Sequence, residues 1–185
     1  MKISPASIRA GSVADAETIA ALAIQVFLDT YATAGVRPDL ANEAFAEYGR
    51  GKFEKRLHET GRVFFLAERG AGLLGFAEVL RDHVASPVTG VVGAELVRLY
   101  VQPQAQGAGI GGALLLAAEN CAMHAGSGGL WLSAWERNTR ALAFYQHLHY
   151  QDLGFAYYVI QGQSFGNRIL YKPVGSSDAK PLVQP

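Results

Sequence analysis

The chain of 185 residues is half hydrophobic and 17% charged, and its 16 basic side chains balance its 16 acidic ones. That length suits one domain with a full core, and the composition excludes wholesale disorder. A formal net charge of zero gives no support to a nucleic-acid partner or to an anionic membrane surface.

In chain order, SIRAG (7–11) reads as a short first strand, and Ser12 with Asp15 fits a capping box. Ile19, Leu22, Ala23, Val26 and Phe27 then recur at helical spacing. A second helical region is expected from Leu40 to Glu59, interrupted at Gly49 and Gly51. RVFFLAE and LLGFAEVL are strand-like runs joined by the turn-like RGAG, an antiparallel hairpin. GAELVRLYV is the next strand, Gly111 to Ala125 a helix, GLWLSAW a strand and Thr139 to Leu148 a helix. GFAYYVI and RILYKPV close the chain as strands. This order predicts a mixed α/β fold in a single domain over 1–174. Residues 175–185, GSSDAKPLVQP, are small, polar and proline-punctuated, and are expected to form a flexible tail.

The single cysteine, Cys121, excludes an intrachain disulfide and fits a reducing compartment. It lies well along an apolar helix with no assignable His or Asp companion, so it reads as a core thiol. No apolar run is long enough for a membrane span, and MKISPASIRAGS lacks the apolar core of a signal peptide. A cytoplasmic location without membrane attachment is the expectation. His58, His83, His124, His147 and His149 show no metal-ligand spacing, and no metal is expected.

LYVQPQAQGAGIGG, residues 99–112, raises the functional question, because Gly107, Gly109, Gly111 and Gly112 lower helix propensity just where a helix should start. A strand, a glycine-rich loop and a helix together make an anion site. The first helical N–H groups have no internal partner, the helix dipole adds about half a positive charge there, and glycines let backbone approach a phosphate. A tight turn with close packing would use the same glycines. A P-loop needs Gly-Lys-Ser/Thr, and Ala113 follows Gly112 here. Gly107, Gly109 and Gly112 satisfy GxGxxG, with Glu136 beyond the next strand. However, Pro103 to Gln106 separate that motif from its strand, and too little chain remains for further parallel strands.

The stretch resembles motif A of the GNAT acetyltransferases, Q/R-x-x-G-x-G/A, which cradles the pyrophosphate of coenzyme A. Two registers fit, Gln104 to Gly109 and Gln106 to Gly111, and the second sets Gly111 at the helix start. NTRALAFYQHLHY (138–150) resembles motif B of the same family, and IRAGSVADAETIAALA resembles its first strand and helix. The resemblance covers nearly the whole chain. It implies a mixed, mostly antiparallel sheet of six to seven strands, flanked by about four helices and splayed between strands 4 and 5.

The resemblance also implies transfer of an acetyl group from acetyl-CoA to a primary amine, by direct attack. Gln106, Gly107, Ala108, Gly109, Ile110 and Gly111 would hold the diphosphate, and backbone of Leu99, Tyr100 and Val101 the pantetheine. Asn138 would bond to the cofactor arm, and Arg140 would lie near the adenosine phosphates. Tyr145 would give its proton to the departing thiolate. Glu95 is the candidate base, directly or through water; on an alternating strand it shares a face with Val97, Leu99 and Val101, and Arg98 lies opposite. A packed tyrosine and a solvated glutamate are the plain structural alternatives.

FLDTYATAG (27–35) and FGNRILYKP near the end resemble segments of members that act on small amines, polyamines included. Phe27 and Tyr31, one turn apart, are then candidates for an acceptor pocket, and Glu78 for attracting a cation. Phe27 also fits a core position. A peptide N-terminus or an antibiotic is an alternative acceptor, and a homodimer is the family habit. A module that senses acyl-CoA without catalysis, or one that transfers a different acyl group, completes the alternatives.

Overall fold

The computed structural model describes residues 5–88, 90–160 and 163–175. Most of the expected tail, 176–185, lies outside the described residues. Strand β1 (Ser7–Ala10) leads through a 3₁₀ turn (Val13–Asp15) into helices α1 (Ala16–Tyr31), α2 (Pro38–Tyr48) and α3 (Arg50–His58). Strands β2 (Arg62–Arg69), β3 (Gly72–Ala85) and β4 (Val92–Val101) follow. After a second 3₁₀ turn (Pro103–Ala105) come α4 (Ile110–His124), β5 (Gly129–Trp135), α5 (Thr139–His147), β6 (Gln151–Ile160) and β7 (Gln163–Pro173).

Hydrogen bonds join the seven strands in the order β1-β2-β3-β4-β5-β7-β6. β1–β2, β5–β7 and β6–β7 are antiparallel, and β4–β5 is parallel. The mixed sheet of seven strands agrees with the sequence-based expectation. The second helical region is two helices because the backbone turns extended at Gly49 (φ −64°, ψ 151°), the C-cap of α2 and N-cap of α3. β6 and β7 begin earlier than their apolar runs suggest. Their added residues, such as Gln151, Asp152 and Gln163, are polar, and hydrophobicity alone does not mark such residues as strand.

The chain packs as two compact units. The first comprises Met1–Val79 and Val97–Ala118. Phe53, Phe64 and Phe76, all within 1% of full burial, meet there with ring centroids 6.0–6.2 Å apart. Ile19, Leu66 and Phe27 extend this core. Each such side chain contributes about 1.5–3 kcal/mol by leaving water. The entry to α1 is pinned by charge. Arg9 spans Asp15 and Glu68 at 2.6 Å each, and the Ser12 N–H donates to Asp15 at 2.8 Å. These bonds, the arginine's first, hold the Asp15 carboxyl well below the usual carboxylate range.

The second unit comprises Leu80–Leu96 and Glu119–Pro185, with β5 at its centre. The β4–β5 register has three pairs, from Ala94↔Leu130 to Leu96↔Leu132. On its other edge β5 pairs with β7 along its whole length, from Gly129↔Pro173 to Trp135↔Asn167. The β4 ladder therefore stops before β5 does. Leu130, Leu132 and Leu170 are buried on one face, and Ile169, opposite Ser133, is buried on the other.

Candidate active site

In the first unit, β4 runs into the glycine loop. The Gln102 N–H donates to the Leu74 carbonyl of β3 at 2.9 Å. A strand has a two-residue period, so Tyr100 also turns its N–H and carbonyl toward β3, and Leu99 and Val101 turn theirs away. Of the three residues expected to offer backbone to a ligand, Leu99 and Val101 are thus the ones with main-chain groups not turned to β3. Tyr100 instead contributes its ring, packed 5.5 Å from Phe76 and 6.3 Å from Tyr48. Burial, reinforced by Tyr48, raises its phenol well above the ordinary value.

Gln106 folds back from the loop, and its side-chain amide donates to the Val101 carbonyl at 3.1 Å. Gly107 and Gly109 take φ of +80° and +78°, the left-handed region closed to most side chains. A Cβ built on either would meet no protein atom within 4 Å. Backbone conformation demands these two glycines, and the space above them is open to a ligand. The Ala113 N–H donates to the Gly109 carbonyl at 3.0 Å, so α4 starts at Ile110, one residue before the sequence suggested. The N–H groups of Ile110, Gly111 and Gly112 fall in the first turn, where an α-helix has no acceptor for them. Ile110, 4% exposed, anchors the turn. A cavity of about 480 Å³ opens beside it, lined in part by Gly109, Ala113, Ile8 and Arg69. This loop can take an anion.

The first unit also holds the acceptor-pocket candidates. Phe27 is 7% exposed and packs 5.0 Å from both Tyr31 and Tyr48, so it serves the core. Tyr31 is 36% exposed, its phenol pushed up to about 12 by burial and then by Tyr48. Glu78 is completely buried and bonded to Arg62 and, at 2.6 Å, to Arg98, binding β2, β3 and β4 together. Its charge is already engaged by two guanidinium groups. Burial alone lowers the Arg98 pKa, but Glu78 and other neighbours outweigh that and raise it. The Tyr48 and Tyr100 hydroxyls lie 3.4 Å apart near Arg98, which covers the Tyr48 ring at 5.4 Å. Pattern reading missed this cluster because its members come from separate elements.

The second unit holds the candidates for proton chemistry. Glu95 is half-buried and pairs across the parallel ladder with Trp131. Asn138 caps α5, its Oδ1 accepting the Ala141 N–H at 3.1 Å. That bond leaves the NH₂ group as the hydrogen-bond donor of the Asn138 side chain. Arg140, in the first turn of α5, is exposed. Tyr145 is 7% exposed, its ring edge-on to Phe144 at 5.1 Å and to Tyr150 at 5.5 Å. Burial raises its phenol, so it keeps its proton at neutral pH. Tyr150 donates to Glu119 at 3.0 Å, and Lys172 pairs with the same carboxylate at 2.9 Å. Cys121 is half-buried on α4, less enclosed than a core thiol.

A seven-stranded mixed sheet with a parallel β4–β5 junction, carrying a glycine loop at a helix mouth, defines the class. A family model described as an acetyltransferase (GNAT) domain matches residues 60–152, and the chain belongs to this family. The PaiA N-acetyltransferase of Thermoplasma acidophilum, solved in complex with coenzyme A, is 25% identical with a TM-score of 0.70, over 92% of this chain and 99% of that one. A GCN5-related N-acetyltransferase from Rhodopseudomonas palustris is 24% identical with a TM-score of 0.68, over 94% and 98% of the two chains. YncA of Salmonella typhimurium, solved with its cofactor acetyl-CoA, is 18% identical with a TM-score of 0.63, over 97% and 100%. The last two support the fold alone.

Proposed function

We propose that the protein is an N-acetyltransferase that moves an acetyl group from acetyl-CoA to a primary amine, on a small molecule or a peptide N-terminus. The observation that carries this is the loop Gln106–Gly111, with left-handed Gly107 and Gly109 under open space and first-turn amides behind them. Family membership and the coenzyme A bound to the PaiA relative support it.

Acetyl-CoA supplies a thioester, whose C–S bond breaks as the amine nitrogen forms a C–N bond to its carbonyl carbon. The amides of Gly109 to Gly112 hold the diphosphate by hydrogen bonds and the helix dipole. Outward-facing backbone of Leu99 and Val101 holds the pantetheine, and the Asn138 NH₂ group adds a donor. Glu95 takes the proton the amine sheds, directly or through water, because an amine of pKa about 10 is charged at neutral pH. Tyr145 delivers its proton to the departing thiolate sulfur. The buried phenol holds that proton until then. The second proton, shed by the nitrogen as it becomes an amide, restores the phenol.

Calorimetry with coenzyme A, followed by thiol release from acetyl-CoA with a panel of amines, tests the proposal. Binding with amine-dependent release supports it. Binding without release for any amine favours an acyl-CoA sensor, and release only from a longer acyl-CoA favours a different acyl group. Absence of binding overturns the proposal.

A further inference from the structure

Ser133 Oγ is buried in β5, and among the described residues it is the one buried side-chain polar atom without a hydrogen-bond partner. Its surroundings explain this. Trp131 and Trp135 flank it on the same face of the strand, and the fully buried Ile169 is its cross-strand partner on β7. A hydroxyl so enclosed costs about 1–3 kcal/mol unless something bonds to it. An alanine there would avoid that cost, so the position asks for a reason beyond stability.

The register supplies one. Glu95 pairs with Trp131, and laterally paired residues point to the same face of a sheet. Ser133, two residues beyond Trp131, therefore shares its face with Glu95, roughly 7–8 Å away by ordinary strand spacing. The β4–β5 ladder ends at Leu96↔Leu132, one residue before Ser133. The hydroxyl thus sits on the face of the candidate base, just past the point where β5 loses its parallel neighbour. We infer that substrate binding opens the sealed Ser133 Oγ, which then accepts a hydrogen bond from an N–H group of the bound substrate, either the attacking amine or an amide of the pantetheine arm. This rests on the acetyltransferase reading. Ser133 positions the reactant and carries no proton of the reaction.

The experiment compares wild type with Ser133→Ala and Ser133→Thr. Ser133→Ala is expected to melt at the same or a higher temperature without ligand, because it removes an unsatisfied hydroxyl. A fall of about five- to tenfold, the size of one lost hydrogen bond, is expected in one of two quantities. Loss of acetyl-CoA affinity identifies the pantetheine amide, and loss of kcat/KM for the amine at unchanged acetyl-CoA affinity identifies the acceptor. Ser133→Thr, which keeps the hydroxyl, should restore most of either. Unchanged affinity and turnover in Ser133→Ala overturn the assignment, as does a lower melting temperature for the free protein, which marks a purely structural bond. If wild type does not bind acetyl-CoA, the acetyltransferase reading itself fails, and the Ser133 assignment with it.

Discussion

Tyr145 and Tyr150 stand edge to face, ring centroids 5.5 Å apart, and the Tyr150 N–H donates to the Tyr145 carbonyl at 3.0 Å. The Tyr150 phenol is fastened to Glu119, and that of Tyr145 is the proposed proton donor. Tyr145→Phe keeps the ring packing and removes only the hydroxyl. Turnover is expected to fall about a hundredfold, the usual size of a lost general acid. Acetyl-CoA affinity should stay within twofold by calorimetry. Loss of binding alone, with turnover intact at saturation, contradicts the assigned role.

Alkaline pH should destabilise the protein in part through the same pair, alongside the raised phenols of Tyr31 and Tyr100. Burial first, and for Tyr150 also Glu119, raise both phenols above their ordinary value of 10. The folded state then binds more protons than the unfolded chain above that pH. Stability is full below pH 10 and declines as pH rises beyond it. Thermal melts from pH 8 to 11 should show this decline, and it should be shallower in a Tyr145→Phe, Tyr150→Phe double variant. An equal slope in both proteins rules the pair out as its source.

Glu78 separates a structural role from an acceptor-binding one. Glu78→Gln leaves the half-buried Arg62 and Arg98 facing a buried neutral amide. Breaking a buried ion pair costs about 3–5 kcal/mol, a drop of roughly 10 °C in a chain of this size. If Glu78→Gln melts like wild type but has a raised KM for a cationic amine, the residue belongs to substrate recognition.

Gly109→Val and Gly112→Ala contrast two glycines of the loop. Gly109 needs φ of +78°, so valine there strains the backbone by about 1–3 kcal/mol and should abolish coenzyme A binding. Gly112 lies within α4, and a Cβ there meets nothing within 4 Å. Alanine at 112 should raise the melting temperature slightly, through helix propensity worth about 1 kcal/mol. Equal coenzyme A binding by Gly109→Val and wild type, in calorimetry, counts against the loop as the diphosphate site.

Glu95→Gln should flatten the acid limb of the kcat/KM profile and lower its plateau, if Glu95 takes the amine proton. An unchanged profile assigns the proton to another acceptor.

Much of this was legible in the sequence because it depends on neighbours along the chain. The β2–β3 hairpin is marked by RGAG, α1 by its apolar spacing, and the loop by its glycines. Even the break between α2 and α3 was marked by Gly49. The engagement of Glu78 with two arginines was not legible, since Arg62 and Arg98 lie on different strands and meet it only through pairing. The start of α4 was missed by one residue because Gly109 and Gly111 fit a cap equally well as letters, and only the positive φ of Gly109 separates them. Ser133 carried no signal at all. A serine between two tryptophans looks like an alternating strand position, and its lack of a partner emerges only from packing.

The alternation along β4 frees two positions from identity. What Leu99 and Val101 offer outward is peptide, common to every amino acid but proline, so a change of side chain there would leave the proposed pantetheine bonds intact. On that proposal, sequence drift at those sites would reshape the walls around the thioester without loosening the grip on it. A strand of this kind can keep one donor through long divergence as its choice of amine changes.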